Sequence, residues 1–363
     1  MGFTKRLFSF IILFPLSLVY GMITGIRNTM FNLKILPSEK FNTPIVSIGN
    51  ITVGGTGKTP HSEFVIKRLQ DDYKIAYLSR GYKRKTKGYI LATENSDAKE
   101  IGDEPMQIKQ KFPNIIVAVD ANRRRALHKL EQLNQPPDII IMDDAFQHRY
   151  VKPDISILLT DYNRPFYFDY MLPAGKLRET RFAKDRAQII IVTKCHKDIT
   201  PIEKRIVSKH MSVRPYQDLF FTRMAYGEIT PVFEGVDDIE RKDRPYHSAF
   251  VLTGIANPIP LYKKLDKIFR ELIPLKYADH YSFTKADLNN ISKKFRAHKV
   301  DKKCIITTEK DAMRLKSMEI PEDIKNHLFY IPIEPKFVDK NQDKLITQIK
   351  EYVKKNKGMH FLH

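Results

Sequence analysis

The stretch PIVSIGNITVGGTGKTP, Pro44–Pro60, decides the fold. Ile45-Val46-Ser47-Ile48 is a short apolar run of strand character, the middle is rich in glycine, and Pro60 marks the start of a helix. Strand, glycine turn and helix N-terminus in that order make a phosphate-binding loop. Glycines let successive backbone N–H groups point at one anion, Lys58 adds a point charge for the β/γ oxygens, and the Thr59 hydroxyl can hold Mg²⁺. Thr52, Val53, Gly54, Gly55, Thr56, Gly57, Lys58 and Thr59 are therefore the expected nucleotide cradle. One position is irregular, because Thr52 stands where a P-loop normally opens on glycine.

Outward from this loop, β-branched runs alternate with helical stretches: Lys74–Leu78, Ile115–Val119, Asp138–Met142, Ile155–Leu159 and Gln188–Thr193. That alternation predicts a P-loop NTPase-like α/β fold, a parallel sheet with helices on both faces. A second series at Ala249–Thr253, Cys304–Thr308 and Leu328–Ile331, with amphipathic stretches at Pro260–Phe269 and Lys285–Phe295, predicts a smaller α/β domain. The expected organisation is a hydrophobic anchor over 1–30, a kinase core over 31–218, the smaller domain over 219–352 and a basic, fraying tail over 353–363.

The chain has 363 residues, enough for two cores, and its two cysteines, Cys195 and Cys304, offer neither a metal-ligand spacing nor a disulfide framework. A formal charge of +20 draws it to polyanions. The basic clusters are dispersed and not interleaved with aromatics, which argues against nucleic acid and leaves a membrane surface or a phosphorylated substrate. Leu7–Ile26 carries no charge and has Lys5-Arg6 before it and Arg27 after it, about the length of a bilayer-crossing helix. No Ala-x-Ala-like cleavage site follows it. Pro15, Gly21 and Gly25 weaken a straight span, so an anchor lying in one leaflet is as well supported as a crossing.

A P-loop also needs a carboxylate at the end of a neighbouring buried strand to orient magnesium. Asp138–Met142 followed by Asp143-Asp144 supplies it, with Gln147 and His148 on the same turn, where cap and turn roles are the alternative. A base to take a hydroxyl proton must come from elsewhere. Asp103 and Glu104 open a helical stretch in Gly102-Asp103-Glu104-Pro105, where, read alone, they are stabilising caps. His280, in Asp279-His280-Tyr281, is by itself an ordinary histidine. Arg123 and Arg178 could present guanidinium groups to phosphate or form surface ion pairs, Arg178 with Glu179 or Glu131. Two other P-loop classes lack support: Thr193-Lys194-Cys195-His196 has no aspartate to read guanine, and Val53 stands where partitioning ATPases carry an extra lysine.

Together the segments resemble the tetraacyldisaccharide 4'-kinases of lipid A biosynthesis. The matches are Gly49–Pro60, Ser79-Arg80-Gly81-Tyr82, Gly102–Pro105, Asp143-Asp144-Ala145-Phe146-Gln147-His148, Leu172-Pro173-Ala174-Gly175 through Arg178-Glu179, Gly254-Ile255-Ala256-Asn257-Pro258, Asp279-His280-Tyr281 and Thr308-Glu309-Lys310-Asp311-Ala312. The resemblance implies a cytoplasm-facing inner-membrane enzyme that moves the γ-phosphate of ATP onto the 4'-hydroxyl of a tetraacylated glucosamine disaccharide 1-phosphate, with Mg²⁺ and no protein partner. It implies Asp103 as the base acting with His280, Lys58 as the catalytic P-loop lysine, and Thr59, Glu104, Asp143 and Asp144 serving magnesium. Arg123, Gln147, His148 and Arg178 fall to the substrate or phosphates. Two departures, Ala145 where glycine is usual and Phe168-Asp169-Tyr170 where Gly-Asn-Gly is common, bear on local loop geometry. The rival readings are a membrane-bound regulatory ATPase and a small-molecule kinase.

Overall fold

The computed structural model describes residues 3–236, 247–279, 281–300 and 302–360. In chain order the strands are β1 (Ile45–Gly49), β2 (Ile75–Ser79), β3 (Ile90–Leu91), β4 (Ile116–Val119), β5 (Ile139–Asp143), β6 (Ile155–Asp161), β7 (Ile189–Thr193), β8 (Asp218–Tyr226), β9 (Thr230–Pro231), β10 (Ser248–Thr253), β11 (Glu271–Lys276), β12 (Lys303–Thr308), β13 (Leu328–Ile331) and β14 (Ile333–Phe337). They form two sheets, ordered β14-β8-β7-β6-β1-β5-β2-β4-β3 and β11-β10-β12-β13-β9. In the larger, β8 through β4 run parallel and only the edge strands β14 and β3 are antiparallel.

The P-loop strand β1 lies mid-sheet between β5 and β6, and every residue of β1 and β5 is buried, as a strand covered on both faces requires. Val46, Ile48 and Ile141 pack with Val65, Ile66 and Leu69 of the helix Lys58–Leu69 and with Ile349 and Val353 of the helix Gln342–His360. Ile45, Ile140 and Met142 point the other way, onto Ala126, Leu127 and Leu130 of the helix Arg123–Glu131. The period of two along each strand thus assigns alternate side chains to opposite layers.

Two expectations are corrected. A boundary at 218/219 falls at the start of β8, which pairs with β7 inside the larger sheet, and β14 with the helix after it returns there as well. The smaller sheet is an excursion between β8 and β14. The basic tail expected to fray over 353–363 is helical as far as His360, the last described residue, and Val353 is buried against the core. Both cysteines are buried thiols.

Residues Phe3–Asn32 form one helix that passes through Pro15. Among the described residues no helix is long and apolar enough to cross a membrane. Ser17, Tyr20, Gly21, Thr24, Arg27, Asn28 and Phe31 recur at helical spacing, and several of them hold this helix to the body. Ser17 Oγ accepts from the Ala174 N–H at 2.9 Å, the Tyr20 hydroxyl donates to the Arg178 carbonyl at 3.2 Å, and Asn28 donates to Glu179 at 2.9 Å. Its outward face is apolar: Ile12, Leu16, Val19, Ile23 and Ile26 are all exposed. That inverts the ordinary surface helix, which turns its polar side to water.

Candidate active site

The glycine loop sits at the C-terminal end of β1. Gly57 adopts φ 87° as it enters the helix that begins at Lys58, a conformation side-chained residues avoid. Pro60 is the third residue of that helix, where its missing N–H is one of the orphan donors. Buried Thr56 accepts from Asn50 Nδ2 at 2.8 Å, and its carbonyl accepts from the Thr193 hydroxyl at 2.9 Å. Thr59 is half-buried on the first turn, and Val53, Gly54 and Gly55 are exposed.

The irregular Thr52 has a structural reason. Ile51–Val53 is zipped to Lys176–Arg178: Thr52 bridges Leu177, the Val53 N–H donates to the Lys176 carbonyl at 2.7 Å, and the Arg178 N–H donates to the Ile51 carbonyl at 2.8 Å. Thr52 therefore needs no positive φ, and glycine gives it no advantage. The same zip delivers Arg178. Its guanidinium forks onto Asp144, Nη2 to Oδ1 at 2.8 Å and Nη1 to Oδ2 at 3.3 Å, and also meets Asn50 Oδ1. The surface pairs with Glu179 or Glu131 do not form: Glu179 takes Arg186, and Glu131 accepts from the Thr43 N–H.

Lys58 stands 3.6 Å from Asp144 Oδ1. Burial opposes ionisation of Asp144, but Lys58 and Arg178, with Arg123 behind them, outweigh it and hold the pKa below the ordinary value. Asp144 takes φ 46°, so Ala145, the departure from glycine, keeps a negative φ and fits without strain. Asp143 is different. Burial, with the like charges of Asp144 and Glu104 added, raises its pKa to about 6 despite Lys58 and a 2.9 Å hydrogen bond from the Tyr77 hydroxyl. Gly49 lets this turn close, since a Cβ there would come within 2.7 Å of Phe146 Cβ.

Around the turn four buried polar atoms have no protein partner among the described residues: Arg123 Nε, Gln147 Oε1, His148 Nε2 and Arg178 Nε. Unpaired buried groups are costly, and four converging here mark a surface shaped for a ligand. Arg123 donates to the Asp120 carbonyl at 2.8 Å; burial, then Arg80, lowers its pKa to about 10, so it keeps its charge at neutrality. Gln147 Nε2 donates to the Asn50 carbonyl at 2.7 Å. Burial and the charges of Arg123, Arg27, Arg124 and Arg80 lower His148 to about 4, leaving a neutral imidazole beside four guanidinium groups.

Asp103 and Glu104 open the helix Asp103–Lys111, and its N-cap is Gly102, which has no side chain to cap with. Both reach the helix Glu309–Lys316 under the smaller sheet: Asp103 pairs with Arg314, Nε to Oδ1 at 3.1 Å, and Glu104 with Lys310 at 2.8 Å. Arg314 also holds Asp311 at 2.9 Å, and Asp311 accepts from the Gly254 N–H at 2.9 Å. Burial disfavours the Arg314 charge, but its carboxylate partners outweigh that and raise its pKa. His280 lies outside the described residues; its neighbours Ala278 and Tyr281 pack against Gly254. The structure thus gathers Lys58, Asp143, Asp144, Arg123, Gln147, His148 and Arg178 in one cluster. Asp103 and Glu104 stand at the junction of the two sheets.

The sequence reading missed several contributors. Arg314 lies two residues beyond Thr308–Ala312, and its spacing from Asp311 was the available signal. Lys194 caps Gly55 by donating to its carbonyl while pairing with Asp161 at 2.7 Å, and neutral His61 ties the Gly57 carbonyl to Thr222 of β8. In Phe168-Asp169-Tyr170 the aspartate is structural, taking Arg164 at 2.8 Å and the Tyr170 and Lys176 N–H groups.

Comparison with known proteins agrees with this geometry. The sequence model of the tetraacyldisaccharide-1-P 4'-kinases matches residues 9–354. The chain belongs to that family. It is 45% identical over 348 residues to the tetraacyldisaccharide 4'-kinase of Phocaeicola vulgatus, covering 95% of each chain. It is 42% identical over 346 residues to that of Flavobacterium johnsoniae, covering 95% of this chain and 97% of the relative. The crystal structure of the "apo" form of LpxK from Aquifex aeolicus in complex with ATP superposes with a TM-score of 0.72 at 27% identity, covering 94% of this chain and 98% of that one. The resemblance read from the eight motifs is thereby established as family membership.

Proposed function

We infer that the chain transfers the γ-phosphoryl group of ATP to the 4'-hydroxyl of a tetraacylated glucosamine disaccharide 1-phosphate, yielding a bis-phosphorylated lipid A precursor. The observation that carries this reading is the convergence of Lys58, Arg178 and Arg123 on the Asp143–Asp144 turn at the mouth of the P-loop, with four buried polar atoms left for a ligand. Phosphoryl transfer depends mainly on positioning and charge neutralisation, which this cluster provides. The acceptor oxygen forms its bond to the γ-phosphorus as the bond to the β-bridging oxygen breaks, and the hydroxyl proton passes to Asp103, with His280 in support. Arg314 holds the Asp103 carboxylate at the junction through its guanidinium.

Thr59, Glu104, Asp143 and Asp144 are all oxygen donors, and Asp143, with its pKa raised to about 6 beside two other carboxylates, is short of positive charge. Among the described residues no three acidic or imidazole side chains form a metal-holding group by themselves, so magnesium would be held by one or two of these carboxylates with the nucleotide's phosphate oxygens completing its shell, and would supply charge neutralisation there. Gln147, His148 and the arginines beside it form a cationic corner suited to the acceptor's anionic headgroup.

The helix Phe3–Asn32, apolar outward and hydrogen-bonded inward, has the form of an interfacial anchor. It holds the site at the cytoplasmic face of the inner membrane, where ATP and the glycolipid meet. The test is a labelled-ATP assay with the disaccharide 1-phosphate, scored for bis-phosphorylated lipid. Turnover of ATP that is indifferent to the lipid would sink the kinase reading in favour of a regulatory ATPase.

A further inference from the structure

The apolar surface does not stop at the N-terminal helix. Tyr170, 52% exposed, meets Phe14 of that helix edge-on at 6.1 Å. Two residues earlier Phe168, 67% exposed, packs on His210 at 5.2 Å. His210 follows Ile206 and Ile202 at four-residue spacing on the helix Pro201–Met211, and these isoleucines are 50% and 72% exposed. Phe14, Tyr170, Phe168, His210, Ile206 and Ile202 thus make one strip running away from the anchor across a second helix.

Basic side chains predominate on the strip's own loop and helix. Its loop and helix carry two acids, and both are engaged: Asp169 by Arg164, and Glu203 by the Thr200 N–H at 2.7 Å and His196 at 3.2 Å. Arg205 and Lys209 face outward. An exposed apolar stripe flanked by basic side chains and continuous with an apolar helix matches the acyl–headgroup boundary of an anionic bilayer.

We propose that this strip is a second membrane contact, seated in the same anionic lipid surface as the N-terminal helix; the inference rests on the anchor reading above. A lone helix leaves the body free to roll about it. A second contact on the loop leading into Arg178 fixes that roll and holds the phosphate loop at headgroup height.

The chain contains no tryptophan, so single tryptophans report without background. The full-length variants are Leu18→Trp on the outward face of the anchor, Phe168→Trp and Ile206→Trp on the strip, and Ile259→Trp on the smaller unit as control. Each is titrated with vesicles of phosphatidylethanolamine and phosphatidylglycerol with and without brominated acyl chains. The first three are expected to shift to the blue and to be quenched about twofold by brominated lipid, while Ile259→Trp stays unchanged. Phe168→Ser and Ile206→Ser each weaken vesicle binding about tenfold without changing ATP affinity.

A response from Leu18→Trp with silence from Phe168→Trp and Ile206→Trp overturns the strip and leaves the anchor. Silence from all three overturns the anchor reading itself. A blue shift of Phe168→Trp that tracks protein concentration without vesicles assigns the strip to a second copy of the chain, and also overturns the proposal.

Discussion

Asp143→Asn should stabilise the ligand-free protein while removing its activity. Burial, with Asp144 and Glu104 adding to it, raises Asp143 from an ordinary aspartate value to about 6. A shift of about two units corresponds to about 3 kcal/mol that the charged form costs the folded state at pH 7.5. The sign follows from proton uptake. Between about pH 4 and pH 6 the folded protein binds a proton that the unfolded chain has released, so stability is highest below that window and is lost as pH rises through it. Asparagine carries no charge and can still accept from Tyr77. The variant should therefore gain about 3 kcal/mol at pH 7.5 and only about 1 kcal/mol at pH 4.5. Urea unfolding in metal-free buffer at both pH values measures the difference. A variant less stable than the parent at pH 7.5, or a gain that does not shrink on acidification, would refute the reasoning, because Asp143 would then be comfortably ionised in the fold. Activity should fall about a hundredfold or more, the cost of removing a charge aimed at the reacting phosphates.

Asp103→Ala and His280→Ala should lower turnover by more than they weaken ATP binding measured calorimetrically; equal losses would make them nucleotide ligands or structural groups. Lys111 joins Glu63 of the P-loop helix at 2.6 Å and Glu309 at 2.7 Å, and Glu63 is already raised to about 7 by burial and by Glu309. Lys111→Met leaves two carboxylates facing each other. It should cost about 2–3 kcal/mol at pH 8, less than a fully buried pair because Lys111 is partly solvated, and less still at pH 6 where Glu63 holds a proton. A pH-independent loss in urea titrations would argue that packing, not charge, is what Lys111 provides.

The central strands were legible because each is a β-branched run buried on both faces, and their observed ends lie within two residues of the runs read from the sequence. The strands that escaped are instructive. β11 and β14 contain Pro274 and Pro335, which break a strand pattern, and both lie at sheet edges where a missing N–H is tolerated. Missing β14 also misplaced the boundary, since nothing local in Leu328–Phe337 says that the chain changes sheets between Ile331 and Ile333. In the site, the glycine loop and the two aspartates after β5 follow from local pattern. The grip of Arg178 on Asp144 and of Arg314 on Asp103 does not, because partners 34 and 211 residues apart share no periodicity. Thr52 looked like a flaw in a motif; the bridge to Leu177 makes it an ordinary extended residue.

The excursion between β8 and β14 has a mechanical consequence. The outgoing and returning chains pair as they leave the large sheet, Tyr226 opposite Ile333, with the Gly227 N–H donating to the Pro332 carbonyl at 2.9 Å. Beyond this ribbon the units share a core, since Ile101, Met106 and Val119 of the larger lie in one buried apolar cluster with Phe250, Leu252 and Met313 of the smaller, so the smaller unit is clamped as well as tethered. Arg314 and Lys310 of the smaller unit add ion pairs to Asp103 and Glu104 of the larger. Separating the units would therefore expose that shared apolar cluster as well as break the pairs of Arg314 and Lys310 with Asp103 and Glu104.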